Sequence, residues 1–195
     1  MPTRSQRLGA AAILAVLAIA GAAFVSLPAI VRRVALPRER LKELRAAIEG
    51  ARYVGDSGVI LQKHRNDCAA ACLKMILAGR GIERDLSTLA LDAGTSAAGA
   101  SIAGLRVAAA RAGIESRAWF LTKADLRRAP LPAIAFVRSD HFVVIRRFLA
   151  PDLVEVDDPA IGRLHWRFSA FARAWKGETI VFDPTWDPQQ RVSCR

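Results

Sequence analysis

The stretch that decides the fold of this chain reads Gln62-Lys63-His64-Arg65-Asn66-Asp67-Cys68-Ala69-Ala70-Ala71-Cys72-Leu73-Lys74-Met75. Asp67 is a residue type that caps helix N-termini, so Cys68 falls at the first position of an apolar helix. The positive end of the helix dipole favours a thiolate over a thiol at that position. Gln62, shortly upstream, can direct its side-chain amide at an oxygen that becomes negative when the thiolate attacks a carbonyl. The stretch therefore predicts a cysteine nucleophile with a glutamine as oxyanion donor.

A thiolate nucleophile needs an imidazole and a group that orients it. His141 begins the apolar run 141–145. Because both alternating faces of this run are apolar, it predicts a central strand with the imidazole at its exposed beginning. His165 is the spare candidate and is expected to be structural, whereas His64 is expected to be solvated at the rim of the cleft.

Two adjacent carboxylates compete for the orienting role. Side chains alternate along a strand, so Asp158 shares a face with the valines of its strand, and Asp157 shares the other face with Glu155. Asp158 also directly precedes Pro159, where an aspartate ordinarily closes a turn. We predict that Asp158 orients His141 and that Asp157 faces solvent.

Four separated motifs follow one another along the chain. They are the glutamine-to-cysteine stretch, then Gly94-Thr95-Ser96 with Ser101-Ile102-Ala103-Gly104-Leu105, then Leu131-Pro132-Ala133-Ile134-Ala135-Phe136 before His141-Phe142-Val143-Val144-Ile145, then Val154-Glu155-Val156-Asp157-Asp158-Pro159 with Gly162. Trp175 and Gly177 fit a closing segment. In this order they resemble peptidase family C39, the double-glycine leader peptidases with a papain-like fold, over residues 52–184.

The resemblance implies a cysteine peptidase that cleaves a leader or precursor peptide after Gly-Gly or a similar pair of small residues. It assigns the nucleophile to Cys68 and the acid–base role to His141. It assigns the orienting carboxylate to Asp158 and the oxyanion donor to Gln62, and it implies no metal or organic cofactor. Because the sequence holds no GxxxxGK[ST] phosphate loop, it resembles a stand-alone member, and any export machinery is expected to be separate.

The periodicity along the chain predicts an α+β fold in which N-terminal helices pack on an antiparallel sheet. Helices are expected at 68–78, from about 85 or 87 to 91, and at 101–113. Strands are expected at 115–121, 134–137, 141–148, 153–158 and 179–182. Helices come first and strands later, which differs from the alternating order of parallel α/β folds.

The N-terminus carries most of the excess of apolar residues, which make up 52% of the chain. Residues 8–31 contain no charged side chain and are long enough to cross a bilayer as a helix. An uncleaved membrane anchor is favoured, and a signal peptide cut near Ala20-Gly21-Ala22 is the alternative. Arginines on both sides leave the membrane side of the domain open.

The net charge of +11 is spread along the chain instead of forming one block with interleaved aromatic residues. Only residues 32–45 are densely basic, which indicates contact with anionic lipid headgroups and argues against nucleic acid as a partner. Four segments follow: residues 1–34 as anchor or signal, 35–51 as a charged amphipathic linker helix, 52–184 as the peptidase domain and 185–195 as an irregular tail.

Alternatives remain open at two points. Cys72 is expected to be a buried core residue, although a bridge to Cys194 is conceivable in an exported protein, and a zinc site has the wrong spacing. For function, the rivals are a peptide-binding module without catalysis and a thiol acyltransferase that uses the same residues with an amine as acceptor.

Overall fold

The computed structural model describes residues 37–189. The chain divides into two compact units, residues 1–41 and 42–195, and the description below concerns the second. The apolar segment 8–31, the basic residues 32–36 and Cys194 lie outside the described residues. Between residues 37 and 189 no helix is both long and apolar enough to cross a membrane.

Seven strands and six helices make up the described part of the chain. The helices are α1 (Arg38–Ile48), α2 (Cys68–Ala78), α3 (Leu86–Asp92), α4 (Ile102–Arg111), α5 (Lys123–Arg128) and α6 (Phe168–Ala174). The strands are β1 (Ala51–Gly55), β2 (Arg117–Phe120), β3 (Ala133–Val137), β4 (His141–Ala150), β5 (Leu153–Asp158), β6 (Gly162–Arg167) and β7 (Trp175–Val181). After β7 the described residues form turns and coil.

All seven strands join one antiparallel sheet in the order β1-β6-β5-β4-β3-β7-β2. One face packs against α2, α3 and α4 through a core that includes Leu73, Leu105 and Val144. The other face packs against α5, α6 and the end of α1 through a second core that includes Trp166 and Phe171. The α+β class with an antiparallel sheet is confirmed, and helices cover both of its faces.

Helix α2 matches its predicted bounds. It consists mainly of Ala, Leu, Met and Ile, which are compatible with a helix, and it is buried on nearly every side. Gly81 follows with a φ of 72°, and the backbone N–H of Ile82 donates to the carbonyl of Leu77. This left-handed turn ends the helix as a glycine C-cap does.

The expected linker helix is present as α1, but its second half belongs to the domain. Ala46 is fully buried in the core beneath the sheet, and Lys42 forms an ion pair with Asp56. The indole N–H of Trp166 donates to the backbone carbonyl of Glu49 at 2.9 Å. From Lys42 onward the segment is therefore part of the domain, because its one small buried residue allows the helix to lie close to the sheet.

Candidate active site

The proposed nucleophile, Cys68, is the first residue of α2 and is only 4% exposed. Asp67 stands before it, yet its carboxylate does not cap the helix. The carboxylate instead accepts from the backbone N–H of His64 at 3.0 Å and lies 3.0 Å from the His64 Nδ1. The expected side-chain cap is wrong. Asp67 closes the preceding loop instead, and within the first helical turn the backbone N–H of Ala69 donates to the sulfur of Cys68.

His141 and Asp158 meet where β4 begins and β5 ends. The Nε2 of His141 lies 2.9 Å from the Oδ1 of Asp158, whose side chain is fully buried. The backbone N–H of Ala160 also donates to this oxygen, at 2.7 Å. Asp158 therefore closes its own turn and orients the imidazole at the same time. With Nε2 engaged, Nδ1 is the ring nitrogen that can meet Cys68.

The charges of these groups favour a thiolate–imidazolium pair. Burial opposes the thiolate, but hydrogen bonds from His141 and from the backbone N–H groups of Phe142 and Ala69 outweigh it and lower the pKa of Cys68. Burial likewise opposes the imidazolium, yet hydrogen bonds with Asp158 and Cys68 raise the pKa of His141 to about 9. The pKa of Asp158 is lowered in spite of burial, chiefly by its hydrogen bond with His141.

Gln62 lies in the same cleft as His141, a cavity of about 480 Å³. Its backbone N–H donates to the carbonyl of Pro159, which attaches it to the turn that holds Asp158. Its side-chain Nε2 donates to the carbonyl of His64 at 2.8 Å, and within residues 37–189 its buried Oε1 has no hydrogen-bond partner. One hydrogen of the side-chain amide is therefore engaged by the carbonyl of His64.

The prediction that Asp157 faces solvent is wrong. Strand alternation does place it opposite Asp158, but its side chain is fully buried beneath two arginines. The Arg163 guanidinium donates to it at 2.7 and 3.1 Å, and Arg146 donates at 3.0 Å. Its face of the sheet continues from Val144, which packs on the helical layer, so this side of β5 is not open to water.

The remaining candidates lie outside the cleft or at its rim. His165 contacts Glu155 at 3.2 Å on the face of the sheet that Asp157 occupies, and it does not line the cleft. His64 lines the rim with its side chain 76% exposed, although it contacts Asp67. Cys72 is fully buried, and burial raises the pKa of its thiol well above the ordinary value. Among the residues that the structure describes, no group of three or more His, Cys, Asp or Glu side chains could hold a metal ion.

Two cleft residues were not foreseen from the sequence. Arg138 contacts Asp158 and Glu49, and Glu49 follows α1, ahead of every motif used above. Arg138 lies in the turn three residues before His141, but an arginine there carries no signal of its own. Only the folded chain brings the three side chains together.

The sequence of this chain is similar to those of known proteins. The model of the peptidase C39 family matches residues 56–187. An uncharacterized protein of Methanothermobacter marburgensis is 28% identical over 133 residues, which are 67% of this chain and 92% of that protein. The lactococcin-G-processing and transport ATP-binding protein LagD of Lactococcus lactis is 30% identical over 132 residues, 65% of this chain but only 19% of that longer protein.

Solved structures show the same architecture. The crystal structure of a double glycine motif protease from an AMS/PCAT transporter, in complex with the leader peptide, is 29% identical with a TM-score of 0.62. It is matched over 65% of this chain and 91% of its own. The peptidase domain of Streptococcus ComA, at 21% identity and a TM-score of 0.60 over 65% of this chain and 97% of its own, shares the fold. The chain therefore belongs to the peptidase C39 family.

Proposed function

We propose that this chain is a cysteine endopeptidase that cleaves a leader or precursor peptide after a pair of small residues of the Gly-Gly type. The proposal rests on the hydrogen bonds that link Cys68 to His141 and His141 to Asp158. The pKa of Cys68 is lowered and the pKa of His141 is raised. Both shifts favour a thiolate paired with an imidazolium, which is the resting form of a thiol nucleophile. Relatives that process peptides, among them the lactococcin-G-processing protein, support the peptide substrate.

The roles follow from the atoms that face one another. The Cys68 thiolate attacks the scissile carbonyl carbon, and the protonated imidazole of His141 gives its proton to the leaving amine. A water molecule, deprotonated by His141, then attacks the thioester and releases the new carboxylate with the free thiolate. Asp158 keeps the imidazole in one tautomer throughout. The backbone N–H of Cys68 and the second amide hydrogen of Gln62 receive the oxyanion.

The slight exposure of Cys68 supports a substrate with small residues at the cleavage point. A cysteine that is only 4% exposed can be reached by a thin segment of backbone, whereas a large side chain next to the scissile bond would meet the residues packed around it. Residues without bulk, glycine above all, fit this restriction.

The direct test is incubation of the purified protein with a peptide that contains an internal Gly-Gly, followed by mass spectrometry with and without an added amine. Two fragments that together contain one added water support the proposal. A fragment joined to the amine would instead indicate a thiol acyltransferase, and an intact peptide that binds would indicate a binding module. Cys68→Ala should abolish cleavage, and Cys72→Ala, its match one helical turn away, should leave most of it.

Thiol reactivity tests the nucleophile without a substrate. At pH 6 iodoacetamide should modify Cys68 much faster than Cys72, because one thiol is ionised by its neighbours and the other is buried and protonated. Peptide mapping identifies the labelled residue. Equal rates for the two cysteines would contradict the assignment.

We further propose that residues 8–31 anchor the protein in a membrane, with residues 32–45 near anionic headgroups. Twenty-four uncharged residues bury far more apolar surface than a peripheral helix can. The full-length protein should therefore stay with membranes through carbonate and high-salt washes. A mature protein that starts at Ala23 would show instead that the segment is a cleaved signal, and protease access in intact spheroplasts reports the side of the domain.

A further inference from the structure

The second oxygen of the buried Asp158 carboxylate has a partner outside the series from cysteine to aspartate. Oδ1 is taken by His141 and Ala160, as described above. Oδ2 faces the guanidinium of Arg138, whose Nη2 lies 3.5 Å away. The other end of the same guanidinium, Nη1, lies 2.5 Å from the Oε2 of Glu49. One arginine therefore bridges two carboxylates at the back of the candidate active site.

Glu49 is itself held in place. Its backbone carbonyl accepts the indole N–H of Trp166, and the Arg138 guanidinium lies over the Trp166 ring, 6.0 Å from its centroid. The buried Ala46 attaches the preceding helix to the core. Glu49 also precedes residue 56, where the match to the family begins. A segment outside the family match thus contacts, through Glu49, the arginine that lies beside the buried carboxylate.

The backbone at Arg138 gives an independent indication that its side chain has a role. Arg138 and Ser139 have φ values of 56° and 65°, and the backbone N–H of Asp140 donates to the carbonyl of Val137 to close the turn. Both central positions of such a turn favour Asn or Gly, and other residues are strained there. The turn alone gives no reason for an arginine at this position, whereas the bridge between two carboxylates does.

We propose that Arg138, held by Glu49, is a positioning residue that keeps Asp158 oriented and ionised for His141. The inference rests on the proposed peptidase function, because it assigns Arg138 and Glu49 a role in that same site. It makes the end of α1 a support of the active site.

The electrostatics of the cluster agree with this role. The charged groups that face Asp158 are His141 and Arg138, with Glu49 behind the arginine and Cys68 behind the imidazole. Burial raises the pKa of Glu49 most strongly, and the Asp158 charge adds to that rise while Arg138 counteracts it. Without the guanidinium, two carboxylates would face each other with no cation between them. Asp158 would then be protonated more readily, and the imidazolium would lose its counter-ion.

Three variants of the full-length chain separate positioning from folding. Arg138→Asn removes the guanidinium but suits the left-handed turn, so relief of strain at the turn offsets part of the stability that the lost ion pairs cost. Arg138→Lys keeps the charge and loses the planar fork, and Glu49→Gln keeps the shape and loses the charge. Arg147→Gln is the matched control. Arg147 lies on the same strand as His141 and pairs with the buried Glu155, but it does not touch Asp158.

We expect kcat for Arg138→Asn to fall about 10- to 30-fold with little change in KM, because a hydrogen bond to a charged group is lost away from the substrate. The acid limb of Cys68 alkylation against pH should move up by about half a unit. Arg138→Lys should retain part of the wild-type kcat and show a smaller pH shift. Glu49→Gln should lower kcat about threefold. The double variant Arg138→Asn/Glu49→Gln should be no worse than Arg138→Asn alone, since Glu49 acts on Asp158 through Arg138. The control should match the wild type.

A folded Arg138→Asn protein with wild-type kcat and an unmoved acid limb would overturn the proposal. So would full additivity of the Arg138 and Glu49 effects. The alkylation profile needs no peptide, so it tests the positioning role even if the wild type cleaves nothing. In that case the proposed peptidase function fails while the effect of Arg138 on the thiol can still be seen or refuted.

Discussion

Asp157 and Asp158 are neighbours on β5 and both are fully buried. They have different roles because their side chains point to opposite faces of the sheet. Asp158 accepts from a single imidazole and a turn N–H, and its remaining oxygen has one distant guanidinium. Asp157 is neutralised by two arginines at short distances. Asp158 is thus paired with a group that can titrate, whereas Asp157 is paired with two cations that stay charged.

The difference shows that burial alone does not make a carboxylate functional. What matters is whether the partner can change its protonation state, since only a partner that titrates can move a proton. His141 can do so, and Arg146 and Arg163 cannot. We therefore expect loss of Asp158 to affect chemistry and loss of Asp157 to affect stability.

The largest effect is expected from Asp158→Asn. The amide cannot balance an imidazolium, and it can donate to Nε2 and so favour the wrong tautomer of His141. We expect kcat to fall on the order of 1,000- to 10,000-fold, while the urea midpoint changes little. Steady-state cleavage of a Gly-Gly peptide and urea unfolding measure the two quantities. A loss of less than tenfold would contradict the orienting role.

Gln62→Ala should have the next largest effect. It removes one oxyanion donor, which costs about 100- to 1,000-fold in kcat with a smaller change in KM. Because the Nε2 also donates to the carbonyl of His64, the loop before α2 could loosen in this variant. The alkylation rate of Cys68 is the control, since it does not involve an oxyanion and should remain near that of the wild type. A parallel fall in alkylation would assign Gln62 to loop structure alone.

Part of this site could be predicted from the sequence because strong local patterns carry it. The run of helix formers after Cys68 predicts α2. The alternation along β5 predicts that strand and places the two aspartates on opposite faces of the sheet. The short elements α5 and α6 were missed, since six or seven residues give too little periodicity to read. Strand β1 could not be predicted, because it pairs only with β6, which lies far along the chain.

The cluster around Asp158 shows the same limit at the level of single residues. That His141 and Asp158 would meet followed from motif resemblance, which carries long-range information. Nothing in the sequence near Glu49 or Arg138 indicates their contact, because it depends on how α1 lies against the sheet. The burial of Asp157 could not be predicted from the sequence for a similar reason. Alternation tells which face a residue is on, and only the packed structure tells what covers that face.

Asp157→Asn should cost stability and spare activity. Two guanidinium groups lose their shared carboxylate, but both arginines are partly exposed and can regain water. We expect the free energy of unfolding to fall by about 2 to 4 kcal/mol, somewhat less than for ions with no access to solvent. Urea unfolding measures the loss, and kcat per titrated Cys68 thiol should stay within about threefold of wild type. A hundredfold fall in kcat without loss of stability would reverse the roles of the two aspartates.

The smallest effect is expected from Glu155→Gln, two residues before Asp157 on the same face. Burial works against its charge, but hydrogen bonds with His165 and Arg147 outweigh it, so the pKa of Glu155 is lowered. A carboxyl with a lowered folded-state pKa contributes stability above its unfolded pKa, near 4.5, and loses that contribution as the pH falls through the folded value. Because the side chain of Arg147 is 66% exposed, the variant should lose only about 1 kcal/mol at pH 7. The gap between the two urea curves should close progressively below pH 4.5, while kcat stays unchanged. A gap that persisted at pH 3 would mean that the carboxyl stabilises the sheet by packing and not by its charge.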